Sequence, residues 1–360
     1  MSRDYWKRFQ EQKEPGVSDS GSDRKDVRKN DQKNDRKTDR NFADAPEITD
    51  EENSRFRHYM RTALGIGAAG TLAGAGAVFG CFQLARFTMQ GSRMTLYDAM
   101  LWQSEHYDTS WFSDMVRKDY TIRSYDGYVL HVELVETPDA KGNMYVILSH
   151  GHADNRMGDL KYMPIYLELG YRCIIYDLRG HGENEEAFCT FGVREGEDLA
   201  AVIMDTYNRY GADIELGLHG ESLGSAAVIE SLAYQQDVSF VVCDCGFADI
   251  ENVLKGLLRA NHLPVKILDF VSCAAKVKYG YSFREMRPID ALPSNRVPIL
   301  FIHGEDDAFI PPSNSVRMKG ITAGYSELHL IPGAGHAESV LKEPELYKKY
   351  VGQFLDHLNQ

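Results

Sequence analysis

Three short stretches hold residue types that could together cleave an acyl bond. Gly220-x-Ser222-x-Gly224 lies between an apolar run at 214–218 and a helix-forming segment at 225–234, so the serine is expected on a strand-to-helix turn. Such a turn holds the serine in a strained backbone conformation that lifts its Oγ clear of the sheet, and its glycines leave space where side chains would collide. A serine hydroxyl is a poor nucleophile until a base takes its proton. His336, in the glycine-rich Pro332-Gly333-Ala334-Gly335-His336-Ala337, can be that base. Three adjacent carboxylates, Glu305, Asp306 and Asp307, offer one that could orient and support the imidazole. Acyl transfer also needs backbone N–H groups aimed at the developing oxyanion. Leu223, which follows the nucleophile, and His152, in the turn His150-Gly151-His152-Ala153-Asp154-Asn155-Arg156, are the candidates. His150 is expected only to build that loop through its side chain.

These residues can cooperate only if a fold carries them to one edge. Strand-like runs at 144–149, 171–176, 214–218, 240–244, 299–303 and 328–331 alternate with helical stretches, the pattern of a mostly parallel sheet with helices on both faces. Ligands in such sheets bind beyond the carboxyl ends of the strands, where every residue named above falls. Runs at 120–124 and 128–137 flank Tyr125-Asp126-Gly127 and predict a hairpin. The excursion at 247–297 is longer than a crossover needs. Its stripe Ile250, Val253, Leu254, Leu257 and Leu258, with further apolar residues at 263–271, could pack on the sheet or cap the serine.

Six segments in order, HGHADNR at 150–156, YDLRGHGEN at 176–184, HGESLGSAA at 219–227, DCGFAD at 244–249, HGEDDAFIP at 303–311 and GAGHAES at 333–339, make the chain from about residue 120 to 358 resemble the α/β-hydrolase superfamily. Within it the resemblance is to bacterial, often membrane-anchored hydrolases of the serine aminopeptidase-like, lysophospholipase-like and esterase-like kinds. It implies an α/β-hydrolase fold with a small helical cap, Ser222 as nucleophile, Asp307 as acid and His336 as base, with Asp306 the rival acid. It also implies that Asp177, Arg179 and His181 form a structural turn. The expected activity is hydrolysis of carboxylic esters through an acyl-enzyme, without cofactor or metal. The alternatives are a peptidase or amidase of the aminopeptidase-like type, or a non-catalytic binding module on the same fold, since one scaffold hosts many functions.

A formal net charge of −13 in 360 residues argues against nucleic acid as a partner and against heavily anionic substrates, so that neutral or cationic substrates fit better; a small neutral ester is expected, with an amide the runner-up. Six cysteines are too few for a disulfide framework, and Cys243 and Cys245 read as buried thiols. Residues 1–54, with interleaved acids and bases, read as a disordered charged tail. Within 55–93, the charge-free run at 63–85 is long enough to cross a bilayer. The flanking arginines favour an N-in anchor with the hydrolase outside the cytoplasm, and the long charged region ahead argues that it is uncleaved; the rival readings are a cleavable signal or a buried Gly/Ala-rich core helix. Gly70-x-x-x-Gly74 and Gly76-x-x-x-Gly80 in that run would admit a homodimer. Residues 94–118 form a connector whose Trp102, Tyr107, Trp111 and Phe112 could sit at a membrane interface or pack on the domain, and 119–360 form the catalytic domain.

Overall fold

Val116–Arg123 (β1) and Val129–Glu136 (β2) pair antiparallel about the expected Asp-Gly turn, where Gly127 takes φ 86°. Six further strands follow: Met144–Ser149 (β3), Arg172–Tyr176 (β4), Glu215–Glu221 (β5), Phe240–Asp244 (β6), Ile299–Gly304 (β7) and Ser326–Ile331 (β8). They form one sheet in the order β1-β2-β4-β3-β5-β6-β7-β8, in which β2 meets β4 antiparallel and all later pairs are parallel. This is a computed structural model, and it describes residues 70–90, 93–234 and 237–359. The tail at 1–54 lies outside the described residues.

The central strands are apolar on both faces because helices cover both. Alternate residues of β3 enter two separate cores: Ile147 packs in one, Val146 and Leu148 in the other. The first core takes side chains from Gly70–Met89 (α1), and the second from Leu96–His106 (α2) and Met163–Glu168 (α3). Val193–Tyr210 (α4) and Leu223–Ser231 (α5) join the first. α4 buries Leu199, Val202, Ile203 and Thr206, one face at helical spacing. Glu195 closes its first turn by accepting from the backbone N–H groups of Thr190 and Gly192. Ile250–Ala260 (α6), Ile267–Tyr279 (α7) and Ser313–Ile321 (α8) also pack on the first core, while Ser339–Lys342 (α9) and Pro344–Leu358 (α10) pack on the second. The excursion at 247–297 therefore contains two α-helices and two short 3-10 helices, and the expected stripe holds: Ile250, Val253 and Leu258 are buried, with Leu254 and Leu257 half-buried.

The described residues before the hairpin pack on the two cores. No helix among the described residues is long and apolar enough to cross a membrane. Of the expected span, residues 63–69 lie outside the described residues and the remainder belongs to α1. Leu84 and Ala85 from that run, with Met89 beyond it, are buried in the first core, and Cys81 and Phe82 pack against it. The physical reason is that α7 gives these side chains an apolar partner. Gly80, expected to admit a second copy, is buried within this chain. Of the connector's aromatics, Phe112 is buried in the second core, and Tyr107 and Trp111 pack beside it. All six cysteines are free thiols, with Cys243 and Cys245 buried.

The parallel register aligns the strand ends. Ser149 stands opposite Gly220, Glu221 opposite Asp244 and Gly304 opposite Ile331. The turns after β3, β5, β6, β7 and β8 thus share one edge of the sheet.

Candidate active site

β5 ends at Glu221 and α5 begins at Leu223, which leaves Ser222 alone in the turn with φ 52° and ψ −107°. A positive φ in a non-glycine residue costs on the order of 1–3 kcal/mol and persists only where the surroundings enforce it. Here the Ser222 N–H donates to the Asp244 carbonyl at 2.9 Å. Ser225 Oγ is within hydrogen-bond distance of the carbonyls of Gly220 and Asp244, 2.5 and 2.9 Å away. The two glycines are required by close approach: a Cβ on Gly220 would stand 2.4 Å from the Gly224 backbone, and one on Gly224 would stand 1.8 Å from the Ser149 carbonyl oxygen.

His336 Nε2 lies 3.0 Å from Ser222 Oγ, and His336 Nδ1 lies 2.7 Å from Asp307 Oδ2. An ionised carboxylate only accepts, so Nδ1 carries the proton and Nε2 is left to accept from the serine hydroxyl. Of the two candidate acids, it is Asp307 that meets His336 in this structure. Asp306 is exposed, and its backbone N–H is used on the Ala334 carbonyl. Asp307 is buried, and its Oδ1 accepts from the N–H groups of Phe309 and Ile310 at 3.0 and 2.8 Å.

Sequence reasoning missed the second histidine at this acid. His303, fully buried, places Nε2 3.2 Å from Asp307 Oδ2 and 2.7 Å from the Ile310 carbonyl. That nitrogen must donate, and Nδ1 lies 2.7 Å from Ser315 Oγ, from which it accepts in the neutral ring. Its only sequence signal was its place at the head of the HGEDD segment. Burial alone would raise the Asp307 carboxyl, but the hydrogen bonds from His303 and His336 outweigh burial and bring it down to about 2.

The loop after β3 lies against the nucleophile, since a Cβ on Gly151 would stand 3.9 Å from Ser222 Cβ. Ala153 takes φ 65° within it. His150 builds the loop as expected: Nδ1 donates to the Gly151 carbonyl at 2.7 Å, and Nε2 accepts from the Leu178 N–H at 2.9 Å. Burial pushes its imidazole down to about 4, in keeping with a neutral ring. His152 has an exposed side chain and follows Gly151, while Leu223 opens α5, where helical N–H groups lack partners within the helix. Asp177, Arg179 and His181 do not join the serine. Asp177 accepts from the Arg156 and Glu183 N–H groups, both at 2.9 Å, and pairs with the Arg156 guanidinium. Arg179 is pinned between Asp126 and Asp198. Theirs is the structural turn that was expected.

This arrangement is similar to known proteins at three levels. A family model described as "Alpha/beta hydrolase family" matches residues 146–348. The chain is 33% identical over 255 residues to the uncharacterized protein YqkD of Bacillus subtilis (strain 168), covering 69% of this chain and 82% of that protein. It is 24% identical over 229 residues to the uncharacterized protein YfhR of Salmonella typhimurium (strain LT2), covering 61% and 74%. Among solved structures, an esterase from Pyrococcus furiosus superposes with a TM-score of 0.59 at 22% identity, covering 75% of this chain and 98% of that one. At that identity the likeness shows the fold.

Proposed function

The chain belongs to the alpha/beta hydrolase family, and from that membership and the geometry of the site we propose that it is a serine hydrolase cleaving carboxylic esters. The observation that carries this reading is the unbroken hydrogen-bonded series Ser222, His336, Asp307, with the serine on a positive-φ turn. In the proposed reaction His336 Nε2 takes the Ser222 proton as Oγ attacks the acyl carbon. Asp307 holds the imidazolium, and the N–H groups of Leu223 and His152 stabilise the tetrahedral oxyanion. Collapse expels the alcohol, protonated by His336, and leaves an acyl-serine. Water then attacks with His336 as base and restores the enzyme. A fluorophosphonate probe tests the nucleophile. Wild type should be labelled and Ser222→Ala should not; absence of label on the wild type would refute catalysis and favour a binding module.

The acyl group is proposed to be apolar and uncharged, under a cap made by α6 and α7. What supports an uncharged acyl group is the net charge of −13, which disfavours anionic substrates; Leu254, Leu263 and Ile267 are the apolar residues of those helices and their connection that stay half-buried. An ester and an amide with the same acyl group separate the two hydrolase readings. We expect kcat/KM for the ester to exceed that for the amide by at least about tenfold, a difference of about 1.4 kcal/mol in the barrier. An amide equal to or better than its ester would replace the esterase reading with the peptidase-like one.

A further inference from the structure

Directly behind the site lies an ion pair that the proposed reaction does not use. Lys161 ends the short 3-10 helix Arg156–Lys161, which follows the loop after β3, and its side chain is buried. Its Nζ lies 2.5 Å from Glu221 Oε2, on the residue before the nucleophile. The same Nζ donates to the carbonyl of Ala337, the residue after the base, at 3.2 Å. Ala337 takes φ 60°, so the backbone there is held in a conformation it would not choose alone. Glu221 is fixed in turn. Tyr162 Oη donates to its Oε2 and lies 3.0 Å from Asp244 Oδ2. Asp244 accepts from Ser339 Oγ at 3.2 Å, and its carbonyl receives the Ser222 N–H. Glu221 Oε1 also fills the space beside Gly151, where a Cβ would approach it to 2.9 Å.

One ammonium therefore touches the turn that carries the serine and the loop that carries the histidine, and its carboxylate partner packs on the oxyanion loop. An ammonium suits this place because it is a compact charge with three donors that can point to acceptors on separate loops. We propose that Lys161 is a positioning residue of the hydrolytic site, whose bonds to Glu221 and to the Ala337 carbonyl set the separation of Ser222 Oγ and His336 Nε2. This rests on the serine hydrolase reading. It goes further by naming what holds nucleophile and base in register. Proton transfer needs that separation kept near hydrogen-bond length, and a displacement of about 1 Å at a reacting group costs on the order of 10²-fold in rate.

Lys161→Met leaves the Glu221 carboxylate buried without its partner, which by itself is destabilising. Lys161→Met/Glu221→Gln removes both charges and still lacks the donor to Ala337. Both variants are made in the full chain, and folded, competent sites are counted by titration with a fluorophosphonate, so that lost protein is not mistaken for lost rate. Per titrated site, both should lose on the order of 10²-fold in ester kcat with KM within about twofold of wild type. The second-order rate of fluorophosphonate inactivation should fall in parallel, because it reads the same serine–histidine alignment. Should the single variant fail to fold, the double variant decides. Wild-type kcat per titrated site with only a lowered Tm would overturn the proposal and leave Lys161 a contributor to stability. Failure of the probe to label the wild type is a separate result, and would refute the hydrolase reading itself.

Discussion

Ser222→Ala is expected to lower kcat for the preferred ester by about 10⁶-fold, and Asp307→Asn by about 10⁴-fold, both with KM little changed. The first removes the attacking atom. The second keeps the volume of the acid but presents an amide to His336 Nδ1, so the imidazole loses both its partner charge and the tautomer that frees Nε2 for the serine proton. The double variant should be no worse than Ser222→Ala alone, because a base without a nucleophile has nothing to activate. Asp306→Asn should stay within about twofold of wild type, since its exposed side chain belongs to a residue whose neighbour, not itself, meets His336 at 2.7 Å. A larger loss at Asp306 than at Asp307 would reverse the assignment. Asp307 also links the site to acid stability. Its folded carboxyl, lowered to about 2, lies below the ordinary value, so its contribution is present above the unfolded pKa of about 3.9 and is lost as pH falls through about 2. Asp307→Asn should accordingly flatten the loss of Tm between about pH 4 and pH 2, read by thermal melts across that window.

The site was legible in the sequence because its three members sit in short motifs at strand ends, where local glycine and charge patterns mark turns. The central strands were legible for a related reason: parallel strands buried on both faces are continuous apolar runs. β3 and β6 appear with the bounds their runs suggest. β5 extends past its apolar run through His219, Gly220 and Glu221, because neighbours on both sides bury polar residues that hydropathy alone would place in a loop. Lys161 escaped notice since its partners come from distant segments, Ala337 being 176 residues away; the partners of His303 are only 4 to 12 residues away, but a histidine inside an apolar strand carries no mark of them. The last part of the run at 63–85 could be read two ways from sequence, as an anchor or as a buried core helix. Apolar and glycine-rich composition records that a surface must be covered, not whether lipid or α7 covers it.

A chain beginning at residue 119 is therefore expected to be unable to fold, although all of the sheet but the first three residues of β1 and all the candidate catalytic residues lie beyond that point. Leu84 and Met89 are buried in the first core and Phe112 in the second. Each such burial is worth about 1.5–3 kcal/mol, so the three together approach the roughly 5–15 kcal/mol by which a domain is stable. The loss also reaches the loops around the site. The Cys189 N–H donates to the Met89 carbonyl at 2.6 Å, and the Arg93 guanidinium binds the carbonyls of Gly182 and Asn184. Asn155, in the turn that carries His152, donates to the carbonyls of Met94 and Thr95 at 3.1 and 3.2 Å. Without these segments the loop after β4 and the loop after β3 lose these partners. The shortened chain should show no cooperative thermal transition and no fluorophosphonate labelling. In the full chain, Met89→Asp buries a charge in the first core at about 3–5 kcal/mol, which should lower Tm by about 10 °C while leaving the ester kcat per titrated site intact. A chain from residue 119 with wild-type Tm and kcat/KM would mean that α1 and the connector merely rest on the hydrolase, and that the charge-free run is free to serve elsewhere.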